Sequence, residues 1–124
     1  MSTLHEFNST VIELADQLSI VCPGSLISNN IGNLKMIIRS HPTKVIELFI
    51  IYVLPDKDKI DEGNNDFFLN KSYEDVVEKT EIPVGNIFEF KNIWYKLKYE
   101  NQELVKQYMQ LLCYHAQEYF LEKY

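Results

Sequence analysis

The sequence predicts an all-α fold, a single helical domain over residues 1–124 built as a bundle of about five to six helices with a long acidic loop. Three observations carry this. Apolar residues recur with the helical period along most of the chain and almost nowhere alternate with period two. At 124 residues, a composition of 46% hydrophobic and 13% aromatic is ample for one core and too short for two. The last third, from Ile87 to Phe120, carries more than half of the aromatic side chains on what reads as two consecutive helices.

In chain order, Leu4, Phe7, Val11, Leu14, Leu18 and Val21 are spaced three and four apart and define one stripe of a helix from Ser2 or Thr3 to the Pro23–Gly24 break. Asn29 or Asn30 can cap a second, short helix carrying Ile31, Leu34, Ile37 and Ile38, which ends near Ser40 because the residue before Pro42 is pushed from helical geometry. A third starts with Pro42 in its first turn, where a missing N–H is harmless, and runs through VIELFIIYVL to Pro55. Being apolar nearly all round, it is expected to be central.

Residues 55–71 lack a sustained period and contain Gly63, Asn64 and Asn65, so they read as an acidic surface loop. Phe67, Phe68 and Leu69 are expected to anchor it in the core, since each would otherwise forgo about 1.5–3 kcal/mol of burial. Ser72 and Asp75 resemble a capping box opening a fourth helix to Lys79, which Ile82-Pro83-Val84-Gly85 breaks. Asn86 can cap a fifth with Ile87, Phe90, Trp94 and Leu97 inward. After a turn near Glu100–Asn101, a long sixth runs from Gln102 to Leu121 with Leu104, Tyr108, Leu111, Leu112, His115 and Tyr119 inward.

The net charge of −6 resides in the middle of the chain, where residues 55–85 hold nine acids against four bases. This is not the basic excess of a protein that lives on phosphate backbones. Cys22 and Cys113 are too few for a disulfide framework, and the polar start gives no signal-peptide pattern, so a reducing intracellular compartment is expected. Val45–Leu54, the longest apolar stretch, is about half of the roughly twenty residues a membrane span requires, and no membrane association is expected.

A calcium loop needs oxygen ligands at positions 1, 3 and 5, Gly at 6 and a bidentate Glu at 12. Starting at Asp56 places Asp61 where Gly belongs, and starting at Asp58 places Ile60 at 3 and Leu69 at 12, so both registers fail. His5, Cys22, His41, Cys113 and His115 form neither a C-x-x-C nor an i, i+4 histidine pair. Cys113 and His115, two apart on a helix, point about 200° apart and cannot act as nucleophile and base. There is no G-x-S-x-G, no phosphate-cradling glycine loop and no paired carboxylates in an apolar setting. No catalytic residue, cofactor or metal is assigned, and the chain is expected to be non-enzymatic.

One surface stands out. With Phe90 and Trp94 inward, Lys91, Tyr95 and Lys98 line a neighbouring helix face, with Lys96 and Tyr99 nearby and no acid from 91 to 99. Lysine interleaved with tyrosine suits an acidic protein patch, or bases and phosphates, and equally fits an ordinary solvated face with tyrosine rings lying over lysine stems. Lys91, Tyr95, Lys98 and Tyr99 are the candidate partner-binding residues.

The composition, with eleven Lys to one Arg and many Asn, Ile and Tyr, implies AT-rich coding DNA. The order Leu4-x-x-Phe7 with Leu14, Leu18 and Pro23, then Phe49-x-x-x-Val53-Leu54-Pro55, Asp66-Phe67-Phe68, Phe90-x-x-Ile93-Trp94 and Tyr108-Met109-Gln110-Leu111-Leu112 resembles short helical proteins of unknown function from nucleocytoplasmic large DNA viruses, including the giant viruses. The resemblance implies a virus-encoded accessory or virion-associated protein of the host cytoplasm or the virion, working through viral or host protein partners. It supplies no catalytic residue. The alternative reading is an acidic regulator or nucleic-acid-associated factor.

Overall fold

Ser2 opens the first helix by accepting a hydrogen bond from the His5 backbone N–H through its hydroxyl, at 3.1 Å, so one orphan donor of the first turn is satisfied. The structure, a computed structural model, describes residues 2–72 and 88–123. Helix α1 (Thr3–Val21) buries Phe7, Val11, Leu14, Ala15 and Leu18, the stripe its spacing predicts, and stops at a turn in which Gly24 takes a left-handed φ of 82°. Val21 lies at the edge of that stripe and is exposed.

Helix α2 (Leu26–Ser40) begins earlier than expected because Ser25 caps it, accepting from the Ser28 N–H at 3.2 Å. Asn30 sits inside the helix and turns its amide back to the Leu26 carbonyl at 2.8 Å. Helix α3 (Lys44–Tyr52) buries Val45, Ile46, Leu48 and Phe49 but leaves Ile51 exposed, so it covers the core on one side and is not enclosed. The Asn8 side-chain amide donates to the Pro42 carbonyl at 2.8 Å and ties α1 to the start of α3.

The segment 55–71 is not a loop. A 3-10 turn over Leu54–Asp56 leads into α4 (Lys57–Glu62) and then α5 (Asn65–Asn70). Gly63, at φ 68°, ends α4 in the left-handed region, and the Asn64 side chain starts α5 by accepting from the Asp66 N–H at 2.8 Å. Lys57 pairs with Asp61 one turn on, and Lys71 reaches Asp56 at 2.9 Å, so part of the acidic charge is neutralised locally. Phe67 and Phe68 anchor the segment as expected, whereas Leu69 is exposed. The fourth helix expected over Ser72–Lys79, and the start of the fifth, lie outside the described residues.

Helix α6 (Tyr99–Lys123) begins three residues before the expected start and buries Val105, Met109, Leu112, Cys113, His115, Ala116 and Tyr119. Leu104 and Tyr108 are half-buried and Leu111 points to solvent, so the inward stripe is rotated from the expected one toward α4. Helix α6 lies antiparallel to α1: Thr3 donates to Glu122 at 2.7 Å at one end, and Val21 and Asn101 line one groove at the other. The Gln110 amide reaches the Ile60 and Asp61 carbonyls at 3.3 and 3.4 Å, which joins the last turn of α4 to α6.

The six α-helices of the described residues enclose one core, and aromatic rings run through it as a chain. Phe7 meets Phe49 edge-on at 5.3 Å, Phe49 meets Phe88 at 5.1 Å, and Phe68 contacts both Phe90 and Trp94. Each such pair adds about 0.5–1.5 kcal/mol to the burial of its rings. No helix among the described residues is long and apolar enough to cross a membrane.

Candidate partner-binding segment

Residues 88–97 cannot form the regular helix that places Lys91, Tyr95 and Lys98 on one stripe, because Phe88 and Phe90 are both buried. Two residues apart on a helix they would point about 200° apart. Here Phe88 meets Phe49 of α3 while Phe90 meets Phe68 of α5. The backbone accommodates both by a turn over 91–93 followed by a 3-10 helix, Trp94–Lys96, with short-range bonds from the Ile93 and Trp94 N–H groups to the Phe90 carbonyl at 3.1 and 2.9 Å.

Buried side chains and hydrogen bonds hold this irregular stretch. Trp94 is only 2% exposed, and Leu97 is buried. The Gln102 side chain donates to the Trp94 carbonyl at 2.8 Å, and the Lys98 carbonyl accepts from the N–H groups of Asn101 and Gln102 at 2.9 and 3.0 Å, starting α6.

The predicted partner residues therefore sit around a turn and not along a helix face. Lys91 is half-buried in the turn. Tyr95 is 72% exposed on the 3-10 helix, Lys98 is exposed at its end, and Tyr99 is 74% exposed as the first residue of α6. Lys96, exposed between them, lies 5.8 Å from the centre of the Tyr95 ring. Its charge is also felt by Cys22 at the end of α1, where burial pushes the thiol pKa up and Lys96 partly counters it. Tyr95, Lys96, Lys98 and Tyr99 are thus exposed along one short stretch, whereas Lys91 is half-buried. Lys96, named in the sequence only as a neighbour, is near enough to the end of α1 for its charge to be felt by Cys22. That proximity depends on tertiary packing and has no signal in the helical period.

Elsewhere the chemistry is sparse. Among the described residues no group of three or more His, Cys, Asp and Glu side chains could hold a metal ion. His115 is buried with its Nδ1 3.8 Å from the Glu6 carboxylate, beyond a good hydrogen bond, and Ser9 and His5 approach at 3.5 Å on an exposed turn of α1. Cys113 is fully buried and its thiol pKa is pushed up to about 12, by burial first and then by Asp61, which makes it a poor nucleophile. The chain matches no protein-family model, no curated protein and no solved structure.

Proposed function

We propose that this chain is a non-enzymatic, virus-encoded accessory or virion-associated protein that acts through protein–protein contacts, with Tyr95, Lys96, Lys98 and Tyr99 meeting an acidic partner. The observation that supports this reading is a pair of tyrosines, each nearly three-quarters exposed, carried with two lysines on a segment fixed from beneath by buried Trp94 and Leu97. A segment already held in one conformation loses little entropy on binding, and tyrosine supplies broad contact area with few rotamers to freeze. The lysines add orientation and association rate toward acid. The viral setting rests on the resemblance in the sequence alone.

Affinity recovery from the source cells with wild-type protein and with a Tyr95→Ala, Lys98→Glu variant tests the reading. Loss of specific partners with the variant supports it, and identical recovery defeats it. A salt series with DNA and RNA separates the nucleic-acid alternative, for which affinity must fall steeply as salt rises.

A further inference from the structure

The exposed partner segment is built from two runs of backbone hydrogen bonds. In the first, the Ile93 and Trp94 N–H groups donate to the Phe90 carbonyl, Lys96 donates to Ile93 at 2.9 Å and Leu97 to Trp94 at 3.2 Å. In the second, the Asn101 and Gln102 N–H groups donate to the Lys98 carbonyl. None of these bonds crosses from Leu97 to Lys98, and the backbone there is extended, with φ −80° and ψ 136° at Leu97. Tyr95 and Lys96 therefore belong to one run, and Lys98 and Tyr99 to the other. An extended residue between two helical turns leaves two soft torsions about which the halves can swing unless something ties across it.

The Gln102 side chain spans that junction. Its amide donates to the Trp94 carbonyl at 2.8 Å, eight residues back, while its backbone N–H holds the Lys98 carbonyl at 3.0 Å. The Trp94 carbonyl thus accepts from both Leu97 and Gln102, as its two lone pairs allow. Trp94 itself is fixed by its stack on Phe68. Leu97 is buried under the junction, but apolar burial is non-directional, whereas a hydrogen bond prescribes an angle. From this geometry, and on the reading of the segment as the partner site, we propose that Gln102 is its positioning residue. It sets Tyr95 and Lys96 in register with Lys98 and Tyr99, so that one acidic partner meets both halves at once.

Hydrogen exchange of the full chain, read amide by amide by NMR, tests this in Gln102→Met and Gln102→Glu. Both changes keep the side-chain length and the helix preference, and neither offers a donor at neutral pH. Exchange at the Lys96 and Leu97 N–H groups is expected to quicken about fivefold, the equilibrium worth of one net hydrogen bond. Met109 and Leu112, on the buried face of α6, are expected to keep wild-type rates. Wild-type exchange at Lys96 and Leu97 overturns the proposal, as does a quickening shared equally by Met109 and Leu112. Poly-L-glutamate serves as the acidic probe. Gln102→Met, which changes no charge, is expected to bind it about two- to fivefold more weakly than wild type, because the binding arrangement is populated less of the time. Equal affinity also overturns the proposal. Should the wild type fail to bind the probe, the acidic-partner reading falls, and the exchange rates alone decide whether Gln102 holds the two halves together.

Discussion

The Trp94 indole lies flat on the Phe68 ring, with centroids 4.6 Å apart and planes 9° apart. This stack fastens α5, inside the segment that reads as a loop, to the turn that leads into α6. Phe90 adds a tilted contact to both rings, and Lys106 of α6 stands 6.0 Å from the centre of the indole. Trp94 is therefore buried beside α5 and α6, while Phe88 takes the place beside Phe49 of α3.

Trp94→Ala should cost about 3–5 kcal/mol, enough to unfold a domain of ordinary marginal stability. Trp94→Phe should cost much less. The buried indole Nε1 finds no acceptor among the described residues, so removing that N–H sacrifices no hydrogen bond and relieves an unmet desolvation cost. Urea denaturation of the two variants checks the order. A Phe variant as unstable as the Ala variant contradicts it, as does a solvent-like tryptophan emission maximum in the folded wild type.

How far the sequence reveals this fold depends on element length. Helices α1 and α6 are long enough for the spacing of three and four to show over several turns. Helices α4 and α5 have six residues each, too few for a period, yet their ends are written in capping chemistry: Gly63 in the left-handed region, Asn64 as N-cap and Lys57 one turn before Asp61. Gly63, Asn64 and Asn65 have the local chemistry of a loop, yet they join two helices. At 88–97 the apolar spacing was compatible with a helix, but burial of both Phe88 and Phe90 overrides it, a tertiary preference that no local pattern carries. The placement of Tyr95 and Tyr99 off the core followed from the sequence; the reach of the Lys96 charge to Cys22 did not.

Alkaline pH should destabilise the protein through Cys113. Its thiol pKa rises from the ordinary 9.0 to about 12 in the fold, mainly because burial disfavours the thiolate. A raised folded-state pKa means that the stabilisation is complete below about pH 9, where both states hold the proton, and is lost as pH climbs toward 12, where the unfolded chain alone has released it. Lys57, raised by its hydrogen bond to Asp61, and Tyr108, raised by burial, act with the same sign. Melting temperature measured from pH 8 to 11 should fall, and Cys113→Ala should flatten the fall while costing about 1 kcal/mol at neutral pH. An equal slope in the variant would remove Cys113 as the cause.

The two thiols should also differ in reactivity. Cys22 sits at the end of α1 near Lys96, which favours its thiolate, whereas Cys113 is fully enclosed beside Asp61. With an aromatic disulfide reagent under native conditions, Cys22 should react first and Cys113 only as the chain unfolds. Mass mapping that finds Cys113 modified before Cys22 would contradict the placement.

Millimolar calcium should leave the melting temperature unchanged. The acids of residues 56–66 are spread along two capped helices, with Asp56 engaged by Lys71 and Asp61 by Lys57, so they do not converge on a common centre. A calcium-specific rise, reversed by chelator, is the result that would count against this.

The exposed segment gives the sharpest contrast between folding and function. Lys96 and Lys98 are exposed, and surface charges of this kind contribute about 0–1 kcal/mol, so Lys96→Glu, Lys98→Glu should melt within a few degrees of wild type. Tyr95→Ala should be equally mild, since its ring is mostly in water already. All three changes should nevertheless strip an acidic partner from the protein, because an interface concentrates its energy in a few aromatic anchors and uses complementary charge for encounter. Lys91 is left out of the set, being half-buried in the turn beside Phe90, where a reversed charge would disturb packing as well as binding. Partner recovery should follow Tyr95 most steeply and the lysines in a salt-dependent way. Variants that fold normally and recover every partner at wild-type levels would reduce the segment to an ordinary solvated turn.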